Sequence, residues 1–217
     1  MSAAVINYDC FMVRWEPDAR GRLEQATMEL YGERGFDNTT VAEIAERAGL
    51  TERTFFRHFA DKREVLFQGS GALQELLVAA VAGAPASAAP IEAVAEALEA
   101  AGAQFQERRE FSRRRQAIIA GSAELREREL IKLASLSAAL ADTLRARGVP
   151  EPDASLTAET GIAVFRIAFE RWVDESNELE LSDLMRDLLG HLRAVTSAAR
   201  RRPRATTARR SGSTRYN

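Results

Sequence analysis

Three observations predict an all-α fold. Apolar residues recur at three- and four-residue spacing along nearly the whole chain, sustained strand alternation is absent, and Gly- or Pro-bearing breaks cut the chain into pieces of helical length. The breaks fall at Gly35, Gly49, the AGAPASAAP stretch (82–90), Gly121, the RARGVPEPDAS stretch (145–155) and Asn177. About nine helices are expected, over 18–34, 41–48, 52–58, 62–82, 90–108, 111–120, 124–147, 154–175 and 181–200. With 217 residues the chain can bury a sizeable core, either as one domain or as a small domain joined to a larger one.

The most informative segment is TVAEIAERAGLTERTFFRHFADK, residues 40–62. Thr40 and Glu43 stand at the spacing of a capping box, so a helix starts there, with Val41, Ile44 and Ala45 on one face. Gly49 sits where a helix C-terminus needs a residue that tolerates positive φ. Leu50 plugs the turn, Thr51 caps a second helix, and Phe55 and Phe59, four residues apart, can bury against the first. Helix, tight turn and helix thus follow within a span typical of helix-turn-helix motifs. The face left over carries Glu52, Arg53, Thr54, Arg57 and His58, side chains suited to base edges or phosphates. Asp61 and Glu64 repeat the capping-box spacing, which places Lys62 at a helix N-terminus, where free N–H groups and the helix dipole attract phosphate. The helix that follows, over 62–82, can pack Val65, Leu66, Leu73, Leu76 and Leu77 on the body of the protein.

The later helices are apolar on long stripes. Ile91, Val94, Leu98, Phe105, Phe111, Ile118, Ile119, Leu133, Leu136 and Leu140 supply enough apolar surface to enclose a ligand cavity or to fill a solid core. Phe105, Phe111, Ile118, Leu136, Leu140 and Phe165 are the candidate ligand contacts. Ile162, Phe165, Phe169 and Trp172 form one stripe, and Leu181, Met185, Leu188, Leu192 and Val195, alternating spacings of four and three, form another. Either stripe can face the chain's own core. Phe169 and Trp172, with the whole second stripe, are also the candidates for a seam between two copies.

Composition narrows the function classes. The net charge is −2, yet from Arg200 onward there are seven arginines and no acid, so the rest of the chain is seven charges more acidic than the whole. A nucleic-acid site on the body must therefore be a local patch. The tail itself suits either a solvated segment or nonspecific DNA affinity. Among 30 basic residues only Lys62 and Lys132 are lysines. No run approaches the roughly 20 uncharged apolar residues of a membrane span, and the opening MSAAVINYDCFMVRW lacks the layout of a secretory signal, so a cytoplasmic protein without a membrane partner is expected. Cys10 has no second cysteine for a disulfide and no neighbouring histidine for zinc. With only His58 and His191, and neither a nucleophile elbow nor a P-loop, neither a metal site nor a cofactor is expected, nor is catalysis. Gly69-Ser70-Gly71 follows no strand, so a bend or a close helix contact accounts for it better than a dinucleotide fingerprint.

The segment from about Arg22 to Leu66 resembles the DNA-binding domain of the TetR family of repressors, in its threonine pair, I-A-x-x-A-G, hydroxyl, T-F-F-x-H-F and x-x-K. That resemblance implies a dimer on a palindromic DNA operator, with Thr40, Thr51, His58 and Lys62 on phosphates, Glu52, Arg53 and Arg57 on bases, and Thr54 on either. Where the family commonly has tyrosine this chain has Phe56, which leaves only apolar or backbone contact there. The stretch FSRRRQAIIAGSAELREREL is similar to the C-terminal domain of an actinobacterial subgroup that takes acyl-CoA-like ligands and includes the mycofactocin regulator; Arg113, Arg114 and Arg115 are then candidates for ligand phosphates or, equally, a solvated face. The resemblance implies a ligand-responsive repressor with a small-molecule effector. The domains expected are an arm (1–17), a helix-turn-helix domain (18–62), a ligand-binding and dimerisation domain (63–202) and an Arg-rich tail (203–217). A helical protein-interaction module without sequence-specific DNA binding is the alternative.

Overall fold

The structure, a computed structural model, describes residues 18–198. Cys10, the arm and the Arg-rich tail lie outside them. Among the described residues there are ten α-helices and no strand: α1 (Ala19–Arg34), α2 (Val41–Arg47), α3 (Glu52–His58), α4 (Glu64–Phe67), α5 (Ser70–Gly83), α6 (Pro90–Phe105), α7 (Arg109–Ala120), α8 (Ala123–Ala146), α9 (Asp153–Trp172) and α10 (Leu181–Ala198), with a 3-10 turn at Gln106–Arg108 between α6 and α7.

The small N-terminal bundle forms for the reasons the sequence supplies. Thr40 and Glu43 make the full capping box: the Thr40 hydroxyl accepts from Glu43 N–H at 3.2 Å, and the Glu43 carboxylate accepts from Thr40 N–H at 2.8 Å. These bonds hold the Glu43 carboxyl below its ordinary range. Gly49 turns the chain at φ +66°. Thr51 caps α3 by accepting from Thr54 N–H, and Phe55 and Phe59 bury against Leu23, Leu30 and Ile44. This cluster also takes in Val65, Leu66 and Phe67 of α4, and Ile119 and Leu125 of α7 and α8. Bundle and body therefore share packed apolar surface instead of meeting at a linker.

One expected helix is two. The 62–82 segment breaks at Gln68-Gly69 into α4 and α5. The second capping box does not close, because Asp61 Oδ1 alone accepts from the N–H groups of Arg63 and Glu64, while the Glu64 carboxylate turns outward to Arg128 and Lys132. An added Cβ would meet nothing within 4 Å at Gly69 or Gly71, so the Gly69-Ser70-Gly71 run marks a bend and not a close helix contact. By length and mean hydropathy, 1.4, Glu64–Gly83 is also apolar enough for a membrane span, which the sequence reading did not allow for. In the fold that stretch carries the break and the ion-paired Glu64, and it packs Leu77 and Val81 into the second core.

The body is built on that second core, from α5, α6, α8, α9 and α10. α6 lies close to α10 at Gly102, where a Cβ would stand 2.7 Å from Met185 Cε and 3.0 Å from the Ser182 backbone nitrogen. The end of α9 is closed by Arg109, whose guanidinium donates to the carbonyls of Trp172 (3.0 Å), Asp174 (3.2 Å) and Asn177.

Candidate functional site

Two surfaces merit a functional reading: the outer face of α3 and a cavity in the body. On α3 the burial of Phe55 (0% exposed) fixes which way the helix faces. Glu52, Arg53, Phe56 and Arg57 are left outside, and Thr54 half outside. Thr40 and Thr51, also exposed, stand at the starts of α2 and α3. Arg53 and Arg57 make no hydrogen bond or ion pair with another described residue. Neighbouring arginines are engaged: Arg34 with Glu43 (2.8 Å), Arg47 with Glu29 and Glu33, and Arg63 with Asp61 and Glu124. The α3 face thus presents two cations that have no counter-charge among the described residues. Phe56 is 55% exposed, its ring set edge-on to Phe55 at 5.5 Å. The two hydroxyls at the start of α3, Thr51 and Thr54, share a 3.0 Å hydrogen bond.

Two of the expected phosphate ligands are placed otherwise. Lys62 Nζ donates to the carbonyls of Phe36 (2.8 Å) and Thr39 (2.9 Å) and lies 4.1 Å from the centre of the Phe36 ring. Its backbone carbonyl accepts from the buried Tyr31 hydroxyl at 2.7 Å, and burial pushes that phenol well above its usual range. Lys62 therefore ties the loop between α1 and α2 to the turn after α3; it does not sit as a free cation at a helix start. His58 is half-buried, with Nε2 enclosed and unpartnered, which leaves at most its Nδ1 edge for a phosphate. Lysine at a helix start and histidine on a polar face look alike in sequence whether they point out or in, because the partners of Lys62 are carbonyls more than 20 residues away.

The cavity, about 730 Å3, lies among α4, α5, the end of α6, α7, α8 and α9. Of the expected ligand contacts it brings together Phe105, Phe111, Leu136 and Phe165. Ile118 is turned toward the bundle, packing with the cluster of Ile44 and Phe55, and Leu140 is fully buried in the second core, so neither lines it. Phe169, expected in the seam, is a cavity wall: Phe105, Phe165 and Phe169 form a ring triangle with centroids 5.8 to 6.1 Å apart. Of the three adjacent arginines only Arg115 lines the cavity; Arg113 and Arg114 pair with Glu110 on the surface. Arg115 donates to the Leu66 carbonyl at 2.6 Å and stands 3.5 Å from Glu129, and burial lowers its pKa from the ordinary guanidinium value. Gln116 donates to Glu129 at 3.3 Å, its own Oε1 enclosed without a partner. Nothing in the composition signalled this polar row, since its members come from two helices.

The seam candidates divide in the same way. Trp172, Leu181 and Met185 are 0% exposed within one chain, so they are core and offer nothing to a partner. Leu188 and Leu192 are half-exposed and Val195 is 66% exposed. Leu156 on α9 is 62% exposed and was not among the candidates.

Residues 24–68 match the model of the bacterial regulatory proteins of the tetR family, and residues 88–197, half of the chain, match that of the MftR C-terminal domain. The chain belongs to the TetR family. Over 81 residues, 37% of its length, this TetR-family chain is 40% identical to the HTH-type transcriptional regulator TcmR of Streptomyces glaucescens. That match spans about a third of the curated relative, 36%. Among solved structures, NalD of Pseudomonas aeruginosa, described as the secondary repressor of the MexAB-OprM multidrug efflux pump, superposes with a TM-score of 0.58 at 19% identity, over 82% of this chain and 96% of that one. The fatty acid degradation regulator FadR of Bacillus halodurans gives 0.55 at 17% identity, over 80% and 94%. These two likenesses establish the TetR fold. The family and its relatives are transcriptional regulators, not enzymes.

Proposed function

We propose that the chain is a homodimeric cytoplasmic repressor that binds a palindromic operator through α3 and leaves it when a small apolar or amphipathic effector fills the cavity. The carrying observation is the α3 face, where Arg53 and Arg57 stand without partners among the described residues beside exposed Glu52 and Phe56, on a helix held rigid by buried Phe55 and Phe59. Unpaired guanidiniums on a helix that fits the major groove are the groups that read guanine edges and phosphates. Thr40, Thr51 and Thr54 supply hydroxyls at the helix starts, for phosphate. Residues 18–62 form the DNA-binding part and 63–202 the effector and dimerisation part of this reading.

Two half-sites a turn apart require two copies of α3 related by a two-fold axis. The exposed Leu156 of α9 and Val195 of α10, with half-exposed Leu192, support that pairing. The ring triangle and the cations near the cavity favour an effector with an apolar chain and an anionic part, of which a long-chain acyl-CoA is the first to test. Sedimentation of the protein with the promoter fragment beside its own gene tests the whole reading: two chains, or a multiple of two, per palindrome are expected, with release on adding the effector. Tight binding by a single chain refutes the dimer, and equal affinity for operator and scrambled duplex refutes sequence-specific recognition.

A further inference from the structure

The cavity wall carries more positive than negative charge. Five cations line it, Arg108, Arg115, Arg126, Lys132 and Arg166, against three carboxylates, Glu24, Glu129 and Glu170. Arg108 pairs with Glu24 and Arg166 with Glu170, while Glu64, which like Arg128 does not line the cavity, pairs with Lys132. Glu64, on α4, is held by two cations at once, Arg128 at 2.6 Å and Lys132 at 3.0 Å. Glu129 is the carboxylate left for Arg115 and stands 3.5 Å away, while it also accepts from Gln116. Arg115, Glu129, Lys132, Glu64 and Arg128 are each between 18% and 31% exposed, so water screens them only in part. The adjacent group of Arg63, Asp61 and Glu124 does not line the cavity and lies further out, at 36% to 50% exposure. Of the lining cations not paired with Glu24 or Glu170, Arg115 has Glu129, Lys132 shares Glu64 with Arg128, and Arg126 donates to the Ala120 carbonyl. The lining thus keeps a positive excess, and an enclosed cation without full compensation raises the free energy of the empty site. Arg115 is enclosed with one carboxylate at 3.5 Å and the Leu66 carbonyl at 2.6 Å, and its burial lowers its pKa. Arg115 and Lys132 both line the cavity, as do the Phe105, Phe165 and Phe169 rings.

We infer that the missing counter-charge is the anionic head of the effector, an oxyanion that sits against Lys132 and Arg115 while its apolar chain lies along the phenylalanine rings. This rests on the effector reading of the cavity and adds the position and the partners of the ligand's anionic group. An oxyanion there competes with Glu64 for Lys132 and with the Leu66 carbonyl for Arg115, and both of those partners belong to α4, which packs in the core shared with the α3 bundle. The ligand's charge thereby acts on the element that joins the cavity to the DNA-binding face.

The test is calorimetric titration of the full chain with dodecanoate, dodecan-1-ol and dodecanoyl-CoA, which share one alkyl chain length. An anionic ligand is expected to bind at least about 10-fold more tightly than the alcohol, to lose that advantage in Lys132→Gln and to keep it in Lys132→Arg. Arg115→Gln provides a second, independent loss. A charge-dependent gain for dodecanoate assigns the head to a carboxylate, and one for the thioester alone assigns it to the CoA phosphates. Equal binding of all three by the unaltered protein, or an anion preference that survives both Lys132→Gln and Arg115→Gln, overturns the inference and leaves the effector reading standing. If none of the three binds while operator binding persists, both this inference and the effector reading fall.

Discussion

Lys62 Nζ donates 2.9 Å to the carbonyl of Thr39, the residue directly before the Thr40 that caps α2. One ammonium thus clamps the loop ahead of the first helix of the motif to the turn after the second, with a further bond to Phe36 O and the Phe36 ring beneath it.

The first prediction follows from that clamp. Lys62→Met keeps the length of the side chain and removes both charge-assisted bonds, so the protein should lose about 1 to 3 kcal/mol of stability in urea unfolding. Its operator affinity should fall only as far as that loosening dictates, with an unchanged slope of log affinity against log salt. A slope shallower by about one unit would make Lys62 a phosphate ligand after all.

Arg53 should behave in the opposite way. It is exposed and without a partner among the described residues, so Arg53→Ala should leave the unfolding midpoint nearly unchanged. On the preferred operator it should cost about 1 to 3 kcal/mol and relax one base position. Competition binding against single-base operator variants reads this out. A uniform loss across all variants would move Arg53 from a base to the backbone.

The helix-turn-helix was legible because its signals are local: a cap and its acid three residues on, a glycine at the turn, two phenylalanines one helical turn apart. The same locality explains the misreadings. Lys62 and Asp61 were read from their neighbours in sequence, whereas the partners of Lys62 lie on the α1–α2 loop, and the Glu64 side chain that Asp61 needed for a box is drawn away by Arg128 and Lys132 on α8. Ile118 and Leu140 fit the apolar stripes as well as Phe111 and Leu136 do. Only the packing of α7 on the bundle and of α8 on α9 decides which of them reaches the cavity.

Gly102 and Gly71 are both helical glycines and should respond with opposite sign to alanine. At Gly102 the new methyl meets the flexible end of Met185, which can move, and the Ser182 backbone at 3.0 Å, which cannot move without shifting α10. Gly102→Ala should therefore destabilise by about 1 to 2 kcal/mol. At Gly71 the methyl meets nothing within 4 Å, so Gly71→Ala should stabilise by about 0.5 kcal/mol through backbone entropy. Thermal unfolding of the pair measures both, and equal shifts would mean that α6 and α10 are not in close contact.

The last prediction separates core from seam on α10, where five apolar residues at similar spacing read alike in sequence. Met185 is fully enclosed and touches α6 at Gly102, so Met185→Arg buries an unpaired charge and should cost several kcal/mol, enough to lose the folded body. Val195 is 66% exposed at the far end of the same helix, and an arginine there costs a lone chain almost nothing. In a dimer that pairs α10 with its copy, Val195→Arg sets two like charges against each other in an apolar contact. It should weaken assembly at least about 10-fold while the helical circular dichroism stays intact. Leu188→Arg should fall between the two, since Leu188 is half-exposed and partly packed on the second core. Because operator binding needs two copies, Val195→Arg should also steepen the concentration dependence of DNA binding without changing which bases are preferred. Sedimentation equilibrium of the three variants decides the matter. If Val195→Arg and Leu188→Arg both assemble like the unaltered chain, α10 is not the seam.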